Sequence, residues 1–453
     1  MKILLVRPPR IKQAITLSDF MFSEPLGLEM IYGVLKDSHT VEIFDMMVES
    51  TRLTDKLADF RPQAVGITSL CIDVNKVLAL CAEIKKTDPS IATIVGGTQS
   101  YLNPEGFYNE NVDHIFEYTN YENLTKFYGS MQLEKTEPID GIRSRVYDYK
   151  STGIKGRNQY MLPHRSSTEK YRSEYSYFGY RPAAIAEFGT GCEKVCDFCL
   201  RWRIEGAKEK LIDLELTKKD LAQIKEPAIM FMDNDFLAHR EKIEAFIGIV
   251  KELKLNKNYI MYASVKGIIE YREYLPELKA LGLKALLVGY ETFSDDEMTV
   301  YRKKSSTSDN FEAAEILRRL NIDVWASFIA HPDWSRKDFR LFRKYIKALK
   351  PQITSISPLT PFPNLPMYED YSERLLYDAD NFEKWSFGQV MIRPSQMSLR
   401  TYYLELLKTN LYVNMLVNKN TEMIKKYGIV NILRILYGSL KAVKKYVILM
   451  MEN

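Results

Sequence analysis

The chain has 453 residues, 46% of them hydrophobic and 27% charged, with a net charge of +4. That length allows two or three domains with sizeable cores, and so small a charge gives no electrostatic case for a nucleic-acid partner. No run of 18 apolar residues occurs, which excludes a transmembrane helix, and the opening MKILLVRPPR lacks the apolar stretch of a secretory signal.

The first 130 residues alternate strand and helix patterns. Ile3–Val6 is a short apolar run stopped by Pro8 and Pro9. PLGLEMIYGVLKD follows, with Leu26, Met30, Ile31, Val34 and Leu35 on one helical face. VEIFD (Val41–Asp45), AVGIT (Ala64–Thr68), ATIVGG (Ala92–Gly97) and DHIFEY read as further strands. A stripe of Val74, Val77, Leu78, Cys81 and Ile84 marks a helix between two of them. Short, continuously apolar strands separated by helices predict a parallel sheet covered on both faces, an α/β doubly wound domain. Such a domain binds ligands at the carboxyl ends of its strands. Here those ends are Arg7-Pro8-Pro9, Ser69-Leu70-Cys71, Gly96-Gly97-Thr98 and the segment around Tyr118.

Residues 131–180 are polar and Tyr-rich, with weak periodicity, and read as a linker wrapping over the surface. A second alternating series begins at Ala183, with strands expected at Ala183, Ala228, Tyr259, Ala285, Val324 and Ile353. Six βα units over residues 181–360 predict a partial barrel with its site on the C-terminal face. Residues 361–453 open with the loop PLTPFPNLPMYED (Pro358–Asp370) close by and then turn helical. From Arg400 on there are nine Lys or Arg against three Glu. This basic, amphipathic end leaves two readings open: a helical cap on the barrel, or contact with a membrane surface or an amphiphilic substrate.

The chain has five cysteines, and TGCEKVCDFC (Thr190–Cys199) holds three of them: Cys192, Cys196 and Cys199. An odd total with three so close is metal spacing in a reducing compartment, so a cytoplasmic enzyme is expected. Zinc needs a fourth ligand nearby, and the next His is His239, forty residues on. Three thiolates leave one iron of a four-iron cluster without a protein ligand, and an open coordination position is how a metal is made to act.

Cys-x3-Cys-x-Phe-Cys after the first strand of a partial βα barrel resembles the radical S-adenosylmethionine (SAM) enzymes. The resemblance implies a 4Fe-4S cluster held by Cys192, Cys196 and Cys199, with SAM on the open iron and Phe198 in the family's aromatic place. FMDNDF looks like the family's strand-end segment near the methionine moiety, which implies cofactor contacts for Asp233 and Asp235. YASVKG and LVGYET imply the same for Ser264 and Glu291. TPFPNLPMYE resembles the Pro-rich loop after the sixth strand.

The N-terminal domain resembles the cobalamin-binding domain of one branch of this family, in RPP, PLGLEMIYGVLKD, VGITS and IVGGTQS. Cobalamin contacts are thereby implied for Pro8, Pro9, Leu26, Gly27, Ser69, Leu70, Cys71, Gly96, Gly97, Thr98 and Tyr118. There are departures. No Asp-x-His-x-x-Gly occurs in residues 1–130, which implies cobalamin without a His ligand from the protein. The lower face then falls to the Ser69-Leu70-Cys71 loop, with Cys71 either packed or a ligand. EYTNYEN replaces a Gly-Glu-Gly-Glu-like segment around Tyr118. FIAHPDW places His331 where the family often has Gly-x-Pro-Gly, and His331 reads equally as a catalytic donor or as a structural ring.

The resemblance spans about residues 1–370. It implies a C-methyltransferase acting on an unactivated carbon through a 5′-deoxyadenosyl radical and methylcobalamin. Cyclisation or rearrangement without methyl transfer, and a non-enzymatic cobalamin-binding protein, are the alternatives. The expected partners are a small-molecule, lipid or peptide substrate and a one-electron reductase of flavodoxin or ferredoxin type.

Overall fold

A computed structural model describes residues 1–9, 11, 22–132, 137–147, 156–177, 179–418, 424–425 and 428–452. Within the first sheet, strands β1 (Lys2–Arg7), β2 (Thr40–Asp45), β3 (Ala64–Thr68), β4 (Ala92–Gly96) and β5 (His114–Phe116) run parallel, and β6 (Ile142–Ser144) joins antiparallel. The order is β2-β1-β3-β4-β5-β6, so the chain reverses direction across the sheet between β1 and β3. Ligands bind at such a switch point. Alternation along β1 explains the layers. Ile3 and Leu5 point to one face with helices Leu26–Leu35 and Tyr121–Gln132, while Leu4 and Val6 point to the other with Leu53–Phe60 and Val74–Thr87.

The second sheet has β7 (Ala183–Ala186), β10 (Ala228–Phe231), β11 (Asn258–Ala263), β12 (Leu283–Glu291), β13 (Asp323–Ala330) and β14 (Ile353–Pro358), all parallel, in that spatial order. Between β7 and β10 a two-residue ribbon, β8 (Gly189–Thr190) with β9 (Lys210–Leu211), brackets the cysteine segment. Outward residues such as Phe231, Met261, Val288 and Phe328 pack under the flanking helices. Inward residues Ile185, Met230, Ile260 and Trp325 join a different cluster, one continuous with Ile3, Leu5, Leu28 and Met30 of the N-terminal domain. The N-terminal domain therefore closes the floor of the barrel.

The stretch 131–180 departs from the expectation of a surface wrap; its residues 133–136, 148–155 and 178 lie outside the described ones. Arg165, Thr168, Tyr171, Arg172 and Tyr175 are buried. Arg165 makes a two-bond fork to Asp220 (2.7 and 2.6 Å) and reaches Glu24 at 2.9 Å and Glu29 at 3.4 Å. Arg172 binds Glu29 at 2.8 Å, Glu24 at 3.2 Å and Glu226 at 3.3 Å. Glu24 also accepts the Ile185 N–H of β7 at 2.9 Å. Polar composition suggested solvent, but buried carboxylates on both domains supply the partners that burial of a charge demands.

Four carboxylates here face two guanidiniums, so the network holds excess negative charge. Burial pushes the Glu29 carboxyl up to about 7; Arg165 opposes the rise and neighbouring Glu24 adds to it. In an unfolded chain this carboxyl titrates near 4.5. Its contribution to stability is therefore complete below that pH and is lost as pH rises through about 7. Thermal unfolding followed across this interval is expected to show a falling midpoint, and Glu29→Gln is expected to flatten the dependence.

Candidate active site at the domain junction

The cysteine loop begins where β8 ends. Gly191 has φ +92°, and a Cβ there would lie 2.1 Å from the Lys208 carbonyl oxygen, so the turn requires glycine. Cys192 N–H donates to Gly206 O at 2.9 Å, Cys199 N–H to Cys196 O at 3.1 Å, and the Trp202 indole to Cys196 O at 2.9 Å. The loop is thus held by backbone bonds that leave its thiols uncommitted. Burial pushes the Cys196 thiol up to about 11 and raises Cys192 and Cys199, with each thiol near enough to affect another. Among the described residues no three His, Cys, Asp or Glu converge on a single-ion position. Three thiols on one loop supply three of the four ligands of a four-iron cluster and would leave one iron open.

Around the loop the strand-end residues form two cation–anion sets. Lys194, between the first two cysteines, pairs with Asp235 and donates to Ser264 Oγ at 2.7 Å. Ser264 donates to Asp235 at 2.8 Å, and its Oγ caps the helix Val265–Glu270 by accepting the Gly267 N–H at 3.0 Å. On the other side Lys303 binds Glu291 at 2.5 Å. Its charge also favours the Cys196 thiolate. Glu291 sits at φ +61°, an uncommon backbone for a non-glycine residue. Asp233 stands apart from these sets. It accepts the Phe188 N–H at 2.9 Å and meets Lys242 at 2.6 Å, tying β7 to β10.

Lys194, Lys303 and Arg201 escape sequence reasoning, because a lysine near a cysteine carries no periodic signal. Arg201 is placed by the Met232 carbonyl and by Asn234. It lies near Glu187, whose carboxyl burial pushes up to about 7; Glu205 adds to the rise and Arg201 opposes it. Glu187 follows β7 directly, so this raised carboxyl stands at the end of the first barrel strand.

Phe198 packs edge-on to Tyr301 at 5.4 Å, beside Ile329, Leu359, Met367 and Ile392. His331 is held on both sides. Its Nδ1 accepts the Asp333 N–H at 3.2 Å, so Nε2 carries the proton toward the Tyr371 hydroxyl, also at 3.2 Å. Burial lowers its pKa, which keeps the ring neutral.

The N-terminal strand ends lie beside this loop. Gly97 has φ +104°, and a Cβ would meet Ser69 N and Thr68 Oγ1, each at 2.7 Å. Gly97→Ala is expected to cost roughly 1–3 kcal/mol in backbone strain before the clash is counted. Denaturation and retention of cobalamin by the purified variant check it. Gly96, by contrast, has room for a Cβ, whose closest neighbour would be 3.7 Å away. A Cβ on Gly27 would meet nothing within 4 Å, and Leu70 is 55% exposed at the end of β3. Thr98 opens the short helix Thr98–Leu102, and Ser69 is buried, bonded to Gly96 O at 2.9 Å. Pro8 and Leu26 are buried and Pro9 partly so. An exposed apolar side chain beside open glycine positions fits a large planar ligand over these strand ends.

Two further strand-end residues pack against the protein itself. The Tyr118 ring is clamped by Gly141 and Gly156, whose added Cβ atoms would fall 2.6 and 2.4 Å from it. Cys71 packs with its thiol 3.9 Å from the Phe382 carbonyl oxygen, and burial pushes the thiol up to about 12.

The two halves of the site meet. Cys71 and Leu200, the residue after Cys199, pack against one apolar cluster of Phe362, Leu365, Trp385 and Met391. Helix Thr98–Leu102 contacts helix Arg201–Glu205. Asn364 of the Pro-rich loop donates to Leu102 O at 2.9 Å.

The family model for the radical SAM superfamily matches residues 186–346, and that for the B12 binding domain matches residues 14–122. The chain carries a radical SAM domain and, ahead of it, a B12-binding domain. Among curated relatives, the hopanoid C-3 methylase of Methylococcus capsulatus is 27% identical over 86% of this chain and 76% of its own length. Two solved structures share the fold. The radical SAM methyltransferase TsrM from Kitasatospora setae, with cobalamin and a [4Fe-4S] cluster, has TM-score 0.65 at 14% identity, covering 82% of this chain and 74% of that one. The cobalamin-dependent SAM radical enzyme OxsB with aqua-cobalamin has TM-score 0.68 at 14% identity, covering 98% and 80%.

Proposed function

We propose that this protein is a C-methyltransferase that places a methyl group on an unactivated carbon of a small, lipid-like molecule in the cytoplasm. The observation that carries the reading is the shared cluster around Phe362 and Trp385, which sets the cysteine loop and the β3 strand end against one wall. When bound, the iron–sulfur cluster with SAM supplies hydrogen abstraction and cobalamin supplies the methyl group.

The chain's own residues position that chemistry. Cys192, Cys196 and Cys199 hold the cluster. The Lys194–Asp235–Ser264 and Lys303–Glu291 sets give SAM a polar wall of both signs. Leu70, Gly97 and Thr98 seat cobalamin, with Cys71 packed beneath rather than ligating. Phe198, Tyr301, Ile329 and Leu359 make the mouth apolar, which favours a hydrophobic substrate. Glu187 holds a proton near neutral pH, and neutral His331 lines the same mouth as a donor. A flavodoxin- or ferredoxin-type reductase delivers the electron, and the C-terminal region lies at a membrane surface. The hopanoid methylase likeness favours a polycyclic or isoprenoid lipid.

The test is turnover of reconstituted protein with reductant, SAM and such a lipid. Methylated product accompanied by S-adenosylhomocysteine and 5′-deoxyadenosine supports the proposal. 5′-Deoxyadenosine without S-adenosylhomocysteine sinks it in favour of rearrangement. Neither product, with cluster and substrate both present, points to a cobalamin-binding protein without activity.

A further inference from the structure

The helix Ile429–Glu452 packs one side on the barrel cap, where Tyr446 and Leu449 are buried and Tyr446 meets Tyr403 at a ring distance of 5.7 Å. Its other side is apolar as well. Ile429, Leu433, Tyr437, Leu440, Val447 and Met451 are 55%, 57%, 59%, 67%, 37% and 81% exposed. At 3.6 residues per turn these six fall within a sector of about 80°, opposite Tyr446 and Leu449. They form a stripe about 33 Å long. In the preceding turn, Met415 and Leu416 are 73% and 67% exposed. Lys444, at about 60° from Ile429, falls inside the sector and interrupts the stripe between Leu440 and Val447. Scattered apolar residues are normal on a surface, but so many along one helix face mark an interaction site.

Charge selects the occupant. Residues 413–453 contain seven Lys or Arg against two Glu and no Asp. Lys441 lies at the margin of the stripe, its ammonium 4.4 Å from the Tyr437 ring, Lys445 lies on the same flank, and Lys444 stands within the stripe, where a long side chain can carry its charge outward past apolar neighbours. An apolar stripe edged by Lys441 and Lys445 and crossed by Lys444 matches an interface where acyl chains lie beneath anionic headgroups that the lysines reach. No helix among the described residues is long and apolar enough to cross a membrane. We propose that helix Ile429–Glu452 lies in the plane of an anionic bilayer, stripe inward, and docks the barrel on the membrane from which its substrate comes. The source of the substrate rests on the lipid methylation proposed above; the docking does not.

Co-sedimentation of the full chain with vesicles tests it without turnover. The probes are phosphatidylcholine alone and an equimolar mixture with phosphatidylglycerol. Binding is expected on the anionic vesicles, weak on the neutral ones, and reduced by salt. Leu433→Glu with Leu440→Glu is expected to lower it at least about tenfold, while far-UV circular dichroism and cobalamin binding stay unchanged. A folded protein that ignores anionic vesicles, or a double variant that still binds them, overturns the proposal. So does a concentration-dependent dimer that the same double variant abolishes, since the stripe would then face a second copy. Methylation of detergent-dispersed lipid by the double variant separates the two ideas, because docking can fail there while the activity stands.

Discussion

Cys196→Ala is expected to abolish 5′-deoxyadenosine formation while cobalamin stays bound. With only two thiolates left, the loop is one donor short of holding a four-iron cluster that exposes a single iron. The loss is confined to one half of the molecule. Cys196 lies on the barrel side, and the residues proposed to seat cobalamin stand at the carboxyl ends of β1, β3 and β4. Iron content and visible absorption of the anaerobically reconstituted variant should fall together with product. Its cobalamin, measured after gel filtration, should remain near the level of the unaltered protein. A variant that still cleaves SAM would refute the assignment of the cluster to this loop. Lys303→Met serves as a companion, because it keeps all three thiols and removes the cation that favours the Cys196 thiolate.

Arg165→Met is expected to lower stability by roughly 3–5 kcal/mol, the cost of stripping one partner from a buried charge cluster. Arg165 is 4% exposed, and it contacts Glu24, Glu29 and Asp220. Without it Glu24 and Glu29 keep Arg172, while Asp220 keeps the Tyr160 hydroxyl at 2.7 Å and, among the described residues, no cation at ion-pair distance. A domain's whole stability is commonly about 5–15 kcal/mol, so the effect should separate the unfolding of the two domains into distinct steps in urea. Asp220→Asn in the Arg165→Met background should recover part of the loss, because one of the stranded charges is then gone. Additive losses in the double variant would mean that the two residues act independently.

Much of this architecture was legible because burial writes itself as periodicity. The strand runs at Ile3, Ala64, Ala92, Ala183, Ala228 and Ala285 are buried on both faces and so read as unbroken apolar segments. The cysteine spacing was legible for a different reason, since all three thiols stand within the eight residues Cys192–Cys199. What stayed hidden was pairing across long separations. Arg165 and Asp220 are 55 residues apart, and Lys194 and Ser264 are 70 apart. Neither partner has a pattern that names the other. Tyr118 shows the same limit. Its position at a strand end suggested a ligand contact, but the two glycines that clamp its ring come from the poorly periodic stretch that follows.

The floor of the barrel carries a consequence for how such a protein can be taken apart. Ile185, Met230, Ile260 and Trp325 point inward and pack in one cluster with Ile3, Leu5, Leu28 and Met30. The corrinoid half is therefore a plug as well as a carrier, and cutting the chain near residue 180 would open both pieces to water. Recombination between homologues at that point should fail unless the plug and the inward layer of the barrel are exchanged together. The unit of inheritance for this pair of domains is the shared core, which crosses the boundary visible in the sequence even though each domain keeps a second core of its own.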